Sequence, residues 1–219
     1  AIPSQGTVVL AVAGSGKLGT AAARLDKKTR GVLTRAMKDA AFKGKKEQTL
    51  SIHAPGGTRL DRVVLVGLGD VKSLDEVAAE RIGAVIYKAV ADSQSATVVL
   101  EGVDGAELAA CVAGGALQRS YRFDKYRTKE RKEEKPKLKT LTIQCGNPTE
   151  AKKAFSSVSA VVEGIFFTRD LVSEPANILY PVEFAARAKT LSKLGIKVEV
   201  LGEAAMKKLG MGALLGVGD

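Results

Sequence analysis

The chain has 219 residues, with 34 Lys and Arg against 24 Asp and Glu, a single His and a formal charge of +10. Hydrophobic residues make up 45 % and charged residues 26 %, ordinary globular usage that argues against a chain disordered throughout. The absence of Trp and the 5 % aromatic content argue against a stacking platform for single-stranded nucleic acid, two Cys do not make a disulfide framework, and one His cannot build a His-rich metal centre.

In chain order, Thr7–Val12 reads as a β-rich strand that runs into a Gly-rich turn, and residues 18–41 read as one or two helices broken near Gly31. Leu50–His53 and Arg62–Val66 read as strands joined through Pro55-Gly56-Gly57, with Gly67-Leu68-Gly69-Asp70 closing the second. From Leu74 to about Ala91, Ile82, Val85, Ile86, Ala89 and Val90 recur at helical spacing. Thr97–Leu100 is a further strand, and Asp104–Arg119 a helix with Leu108, Cys111 and Val112 in its core stripe. Lys139–Cys145 alternates, with Leu141, Ile143 and Cys145 on one side. This succession predicts an α/β domain, residues 1–146, with helices packed on a largely buried sheet.

A long helix is expected next, from an Asn147 cap and Pro148 at its first position, with Glu150 placed for a capping box, to about Leu171. Residues 147–180 form the connector, ending in a segment broken by Pro175 and Pro181. A helix from Pro181 to Leu194, a strand Ile196–Leu201 and a short helix Ala204–Leu209 then begin a second α/β domain over 181–219. One strand with one or two helices cannot bury its own faces, so the chain is expected to be the front part of a longer product. No apolar run approaches the roughly 20 residues that span a bilayer. The start, Ala1-Ile2-Pro3-Ser4, has neither part of a secretory leader. A cytoplasmic protein without membrane contact is expected.

Three features bear on chemistry. Gly14-Ser15-Gly16-Lys17-Leu18-Gly19 satisfies G-x-G-x-x-G between a strand and a helix, a geometry that can present backbone N–H groups to a phosphate. The next strand ends near His53 without the acidic residue that would hold a ribose, and the plainer reading is a strand-to-helix loop. Positive charge concentrates in Arg24–Lys46 and Arg119–Lys139, and Lys43, Lys45, Lys46, Lys125 and Arg127 are the candidates for nucleic-acid contact. A solvated basic surface is the preferred reading, because no DNA-binding motif accompanies the charge. His53 lacks a metal-ligating partner nearby, and both Cys fall on apolar faces, as inert thiols do.

Thr168-Arg169-Asp170-Leu171-Val172-Ser173-Glu174-Pro175-Ala176-Asn177-Ile178-Leu179-Tyr180-Pro181 resembles the linker signature of the leucyl (cytosol) aminopeptidase family. Gly210-Met211-Gly212-Ala213-Leu214-Leu215-Gly216-Val217-Gly218 is similar to that family's next segment, and Arg62–Gly69 and Tyr121–Tyr126 to its N-terminal domain. Ser173 departs from the Asn common in the family. The resemblance implies a macro-domain-like N-terminal domain, a linker helix and the first βα elements of an incomplete catalytic domain. For the parent protein it implies a homohexameric exopeptidase acting on peptides with two divalent metals, Mn or Zn. The family's catalytic and metal-ligand motifs lie beyond Gly218, so no catalytic, cofactor-binding or metal residue is assigned here and this chain is expected to be inactive without them. DNA, through the basic surface, and a nucleotide or ADP-ribose, through the Gly14–Gly19 loop, are the other readings.

Overall fold

The computed structural model describes residues 2–103 and 105–218; the helix start expected at Asp104, and the termini Ala1 and Asp219, lie outside the described residues. Two compact units divide between Phe166 and Phe167. The first is built on a five-stranded sheet in the order β2-β3-β1-β4-β5, with β1 Gln5–Ala13, β2 Thr49–His53, β3 Arg59–Gly69, β4 Ser95–Val99 and β5 Thr140–Gln144. β1 pairs in parallel with β3 and β4, β4 in parallel with β5, and β2 runs antiparallel to β3.

Helices cover both faces, which is why the central strands are continuously apolar. On one face Val8, Leu10, Val12, Val63 and Leu65 pack with α1 (Thr20–Lys28) and α2 (Val32–Asp39) through Ala22, Leu25, Leu33 and Met37. On the other, Val9, Val64, Val66 and Val98 pack with α3 (Glu76–Val90) and α4 (Ala106–Ser120) through Ile82, Ile86 and Val112. α3 and α4 approach backbone to backbone: a Cβ on Gly83 would lie 2.0 Å from the Val112 carbonyl oxygen, and one on Gly115 1.9 Å from that of Glu80. The buried Arg62 donates to Asp92 at 3.2 and 2.6 Å and to Ser93 Oγ at 2.6 Å. Ser93 Oγ in turn lies 2.9 Å from Thr7 Oγ1.

α5 (Pro148–Ser173) runs from the first unit into the second, and the Glu150 N–H donates to Asn147 Oδ1 at 3.3 Å as the capping signal anticipated. The second unit holds α6 (Pro181–Lys189), a 3-10 turn Thr190–Leu194 closed by Gly195 at φ +83°, α7 (Glu203–Lys208) and α8 (Gly212–Gly218). Glu174 is buried and ion-paired to Arg187, which also bonds Glu183 at 2.8 Å. No residue of α6 or α7 is buried.

Three local expectations are corrected. Ile196–Leu201 has no strand partner among the described residues, and without a ladder an extended segment is not a strand. β3 continues to Gly69 instead of turning at Gly67, because Gly67 and Gly69 still pair with Val12 and Ala13. Residues 212–218, where no element is expected from the sequence, are helical.

Candidate functional site

The carboxyl ends of β1 and β3 carry a basic loop, and its shape follows from a few residues. Phe42 is buried against the α1–α2 side of the core and anchors the loop's entry. Gly44, at φ +70°, lies so close to β1 that a Cβ would approach the Ala13 carbonyl oxygen to 2.2 Å. Gly67 is equally crowded, with Lys45 O 1.9 Å from where its Cβ would be. Gln48 braces the turn from inside: its Oε1 accepts from the Lys43 and Lys45 N–H groups at 3.0 and 3.2 Å, and its Nε2 donates to Ala41 O at 3.3 Å. The backbone being pinned on the strand ends, the side chains of Lys43, Lys45 and Lys46 point into solvent and are exposed. None of the three is ion-paired among the described residues.

Lys125 and Arg127 belong to a different arrangement. Glu130 has a side chain only 6 % exposed and gathers Arg122 in a short hydrogen bond, with Arg127 and Lys135 each at 3.9 Å. Its Oε2 has no hydrogen-bond partner among the described residues. The bond to Glu130 pushes the already high pKa of Arg122 higher still. Arg127 is thus turned toward an internal carboxylate, and Lys125 Nζ sits 5.3 Å from the centre of the Tyr126 ring. The structure therefore groups Lys43, Lys45 and Lys46 on one loop and sets Lys125 and Arg127 on a self-neutralising segment.

Three amides of the Gly14–Gly19 turn are taken up within the fold. Gly14 N–H donates to Gly69 O at 2.6 Å, Gly16 N–H to Ala13 O at 2.9 Å and Lys17 N–H to Ser15 Oγ at 3.3 Å. At the start of α1, the Ala21 N–H donates to both carboxylate oxygens of Glu101. An anion that would sit at this helix end meets one already there. Sequence reasoning missed Glu101, because it lies 80 residues from the helix it caps and no local motif marks it.

His53 is exposed at the end of β2, and Cys111 is buried, burial pushing its thiol pKa up. Among the described residues no group of three or more His, Cys, Asp and Glu could hold a metal ion, and no helix is long and apolar enough to cross a membrane.

Known proteins match this chain along most of its length. The family model described as the cytosol aminopeptidase family, N-terminal domain, matches residues 9–130, and that of the same family's catalytic domain matches residues 166–219. A probable cytosol aminopeptidase of Chelativorans sp. (strain BNC1) is 47 % identical over 99 % of this chain and 44 % of its own length. One from Caulobacter vibrioides is 49 % identical over 87 % of this chain and 39 % of its own length. Among solved structures, a tomato leucine aminopeptidase mutant superposes with a TM-score of 0.79 at 25 % identity, covering 93 % of this chain and 43 % of that one. The bottromycin maturation enzyme BotP in complex with Mn gives 0.69 at 25 % identity, with 93 % and 40 % covered. The chain spans less than half the length of the curated relatives it matches.

Proposed function

The chain belongs to the cytosol aminopeptidase family, and on that premise we propose that it is the non-catalytic N-terminal part of a leucyl aminopeptidase with the first elements of the catalytic domain attached. One observation carries the reading: the two halves of the family match in order along one chain, the second starting at residue 166, where the compact units also divide. In this reading residues 1–146 are the macro-like N-terminal domain, 147–180 a connector built on α5 within which the catalytic-domain match begins at residue 166, and 181–219 the first elements of the peptidase domain proper.

The whole protein, in this reading, is a cytoplasmic homohexamer that removes N-terminal residues from peptides with two divalent metals, Mn or Zn. The relatives' names and the Mn in one structural neighbour support the activity and the metal dependence. The side chains of the described residues do not fit a metal pair. Their part is to shape the assembly and limit access to the active sites. The test is hydrolysis of leucine p-nitroanilide with added Mn or Zn, by this chain and by a polypeptide extended to the relatives' length. Activity is expected only in the longer form; turnover by the 219-residue chain alone would overturn the assignment.

A second reading, polyanion binding that includes DNA, is favoured by one feature: Lys43, Lys45 and Lys46 are exposed on a braced loop, without acid partners among the described residues. Lys125 and Arg127 join it weakly, because Glu130 draws in the cations of their segment. A nucleotide phosphate is disfavoured at the start of α1, since the Glu101 carboxylate already occupies the Ala21 N–H at the helix end it would use.

A further inference from the structure

Within the first unit, α5 meets α4 closely at two places. A Cβ on Gly114 would come within 2.3 Å of Val158 Cγ1, and the Tyr121 and Phe166 rings lie 5.2 Å apart, centre to centre. Between the first turns of α5, α4 and the edge strand β5, the packing leaves a cavity of about 450 Å³. It is open because α4 presents Ala109, Ala113 and Ala116 there, where larger side chains would fill the space. Leu141 and Ile143 of β5 and Phe155 of α5 complete an apolar wall. The size and lining fall in the range of small-molecule sites, which run to roughly 300–1,000 Å³.

The polar groups of the wall decide the ligand. Lys139 and Lys152 both contribute to it, both are exposed, and neither is ion-paired among the described residues. Among the described residues no Asp or Glu lines the cavity. We propose that this cavity binds an aliphatic monocarboxylate, the chain lying among the alanines and leucines and the carboxylate between Lys139 and Lys152. A cationic rim without a carboxylate repels an amine. The site therefore does not suit a free amino acid or a peptide N-terminus, and it is separate in kind from the proposed peptidase chemistry.

Cys145 supplies the reporter. It lines the cavity and is half-buried, whereas Cys111 is buried. Modification of Cys145 by Ellman's reagent, located by mass spectrometry, is expected to slow about ten-fold or more when decanoate saturates the 219-residue chain, the equivalent of about 1.4 kcal/mol. Decylamine of the same chain length is expected to give no protection. Reversing the rim with Lys139→Glu and Lys152→Glu, both on the surface, is expected to weaken calorimetric binding of decanoate about ten-fold. Ala113→Phe is expected to abolish it by filling the space, and if that variant fails to fold, the lysine pair still decides the matter. Failure of decanoate to protect at millimolar concentration, or equal protection by decylamine, would overturn the proposal. So would loss of Cys145 reactivity with rising protein concentration alone, accompanied by dimers in sedimentation, since the occupant would then be a second copy of the chain.

Discussion

Both carboxylate oxygens of Glu101 sit on the backbone N–H of Ala21, at 2.9 and 2.8 Å, so the positive end of α1 is neutralised by the chain's own acid. Glu101→Ala removes that acceptor and is expected to destabilise the first unit by about 1–2 kcal/mol, read as a lower Tm. Glu101→Gln keeps a carbonyl in place and is expected to lose less. Calorimetric titration with ADP-ribose is expected to give no binding heat in the unaltered chain. A wild-type Tm for Glu101→Ala would show that the contact contributes nothing.

One substitution has opposite signs at two glycines. Gly115→Ala drives a methyl into the Glu80 carbonyl, with 1.9 Å available, and is expected to cost about 3 kcal/mol or to prevent folding, because α3 must move off α4. Gly164→Ala, within α5 and with nothing within 4 Å of the new Cβ, is expected to stabilise by about 0.5–1 kcal/mol. Urea melts of the two variants check both signs.

The pH dependence should carry a trace of Asp92. The hydrogen bond from Arg62 holds its carboxyl below the usual carboxylate range, more than offsetting the upward push of burial. A depressed folded-state value means that the stabilisation is present above the unfolded pKa and is lost as pH falls through the folded one. The stability gap between the unaltered chain and Asp92→Asn is therefore expected to be widest at neutral pH and to close on acidification. The Asp92 side chain is 70 % exposed, so solvent screening keeps the gap below about 1 kcal/mol. A gap constant from neutral to strongly acidic pH would contradict this account.

The basic loop and the Glu130 segment make separable predictions for polyanion binding. Replacing Lys43, Lys45 and Lys46 with Ala is expected to weaken heparin and duplex DNA binding and to flatten its dependence on salt by about one slope unit per lysine. Arg127→Ala is expected to change little. Equal losses from the two changes, read from affinities across a salt series, would mean that the Glu130 cluster does not occupy its cations.

How far the structure was legible in advance depends on the range over which each feature is fixed. Thr7–Val12 and Lys139–Cys145 announce themselves by local pattern, and Asn147 and Pro148 by capping chemistry; the structure places β1 at Gln5–Ala13, β5 at Thr140–Gln144 and the cap at Asn147. Gly67 and Gly69 read as a turn from composition, yet they stay in β3 because they pair with Val12 and Ala13, and their missing side chains leave room for the loop from Gly44 to Lys46. Ile196–Leu201 has the alternation of a strand and, among the described residues, no neighbour to make it one. The partners of Glu101 and the gathering of Arg122, Arg127 and Lys135 on Glu130 depend on what folding brings together, and single-residue patterns do not encode that.

The stretch from Ile196 to Leu201 also bears on handling. Ile196, Val198 and Val200 alternate with Lys197 and Glu199, there is no proline, and Ile196 and Val200 are 51 % and 44 % exposed. Such a stretch, its backbone donors and acceptors unclaimed by any sheet, is a template for stacking copies into fibrils. Lys197 and Glu199 act as gatekeepers that slow this without preventing it. A concentrated stock of this polypeptide should therefore cloud on standing, and Val198→Lys should keep it clear.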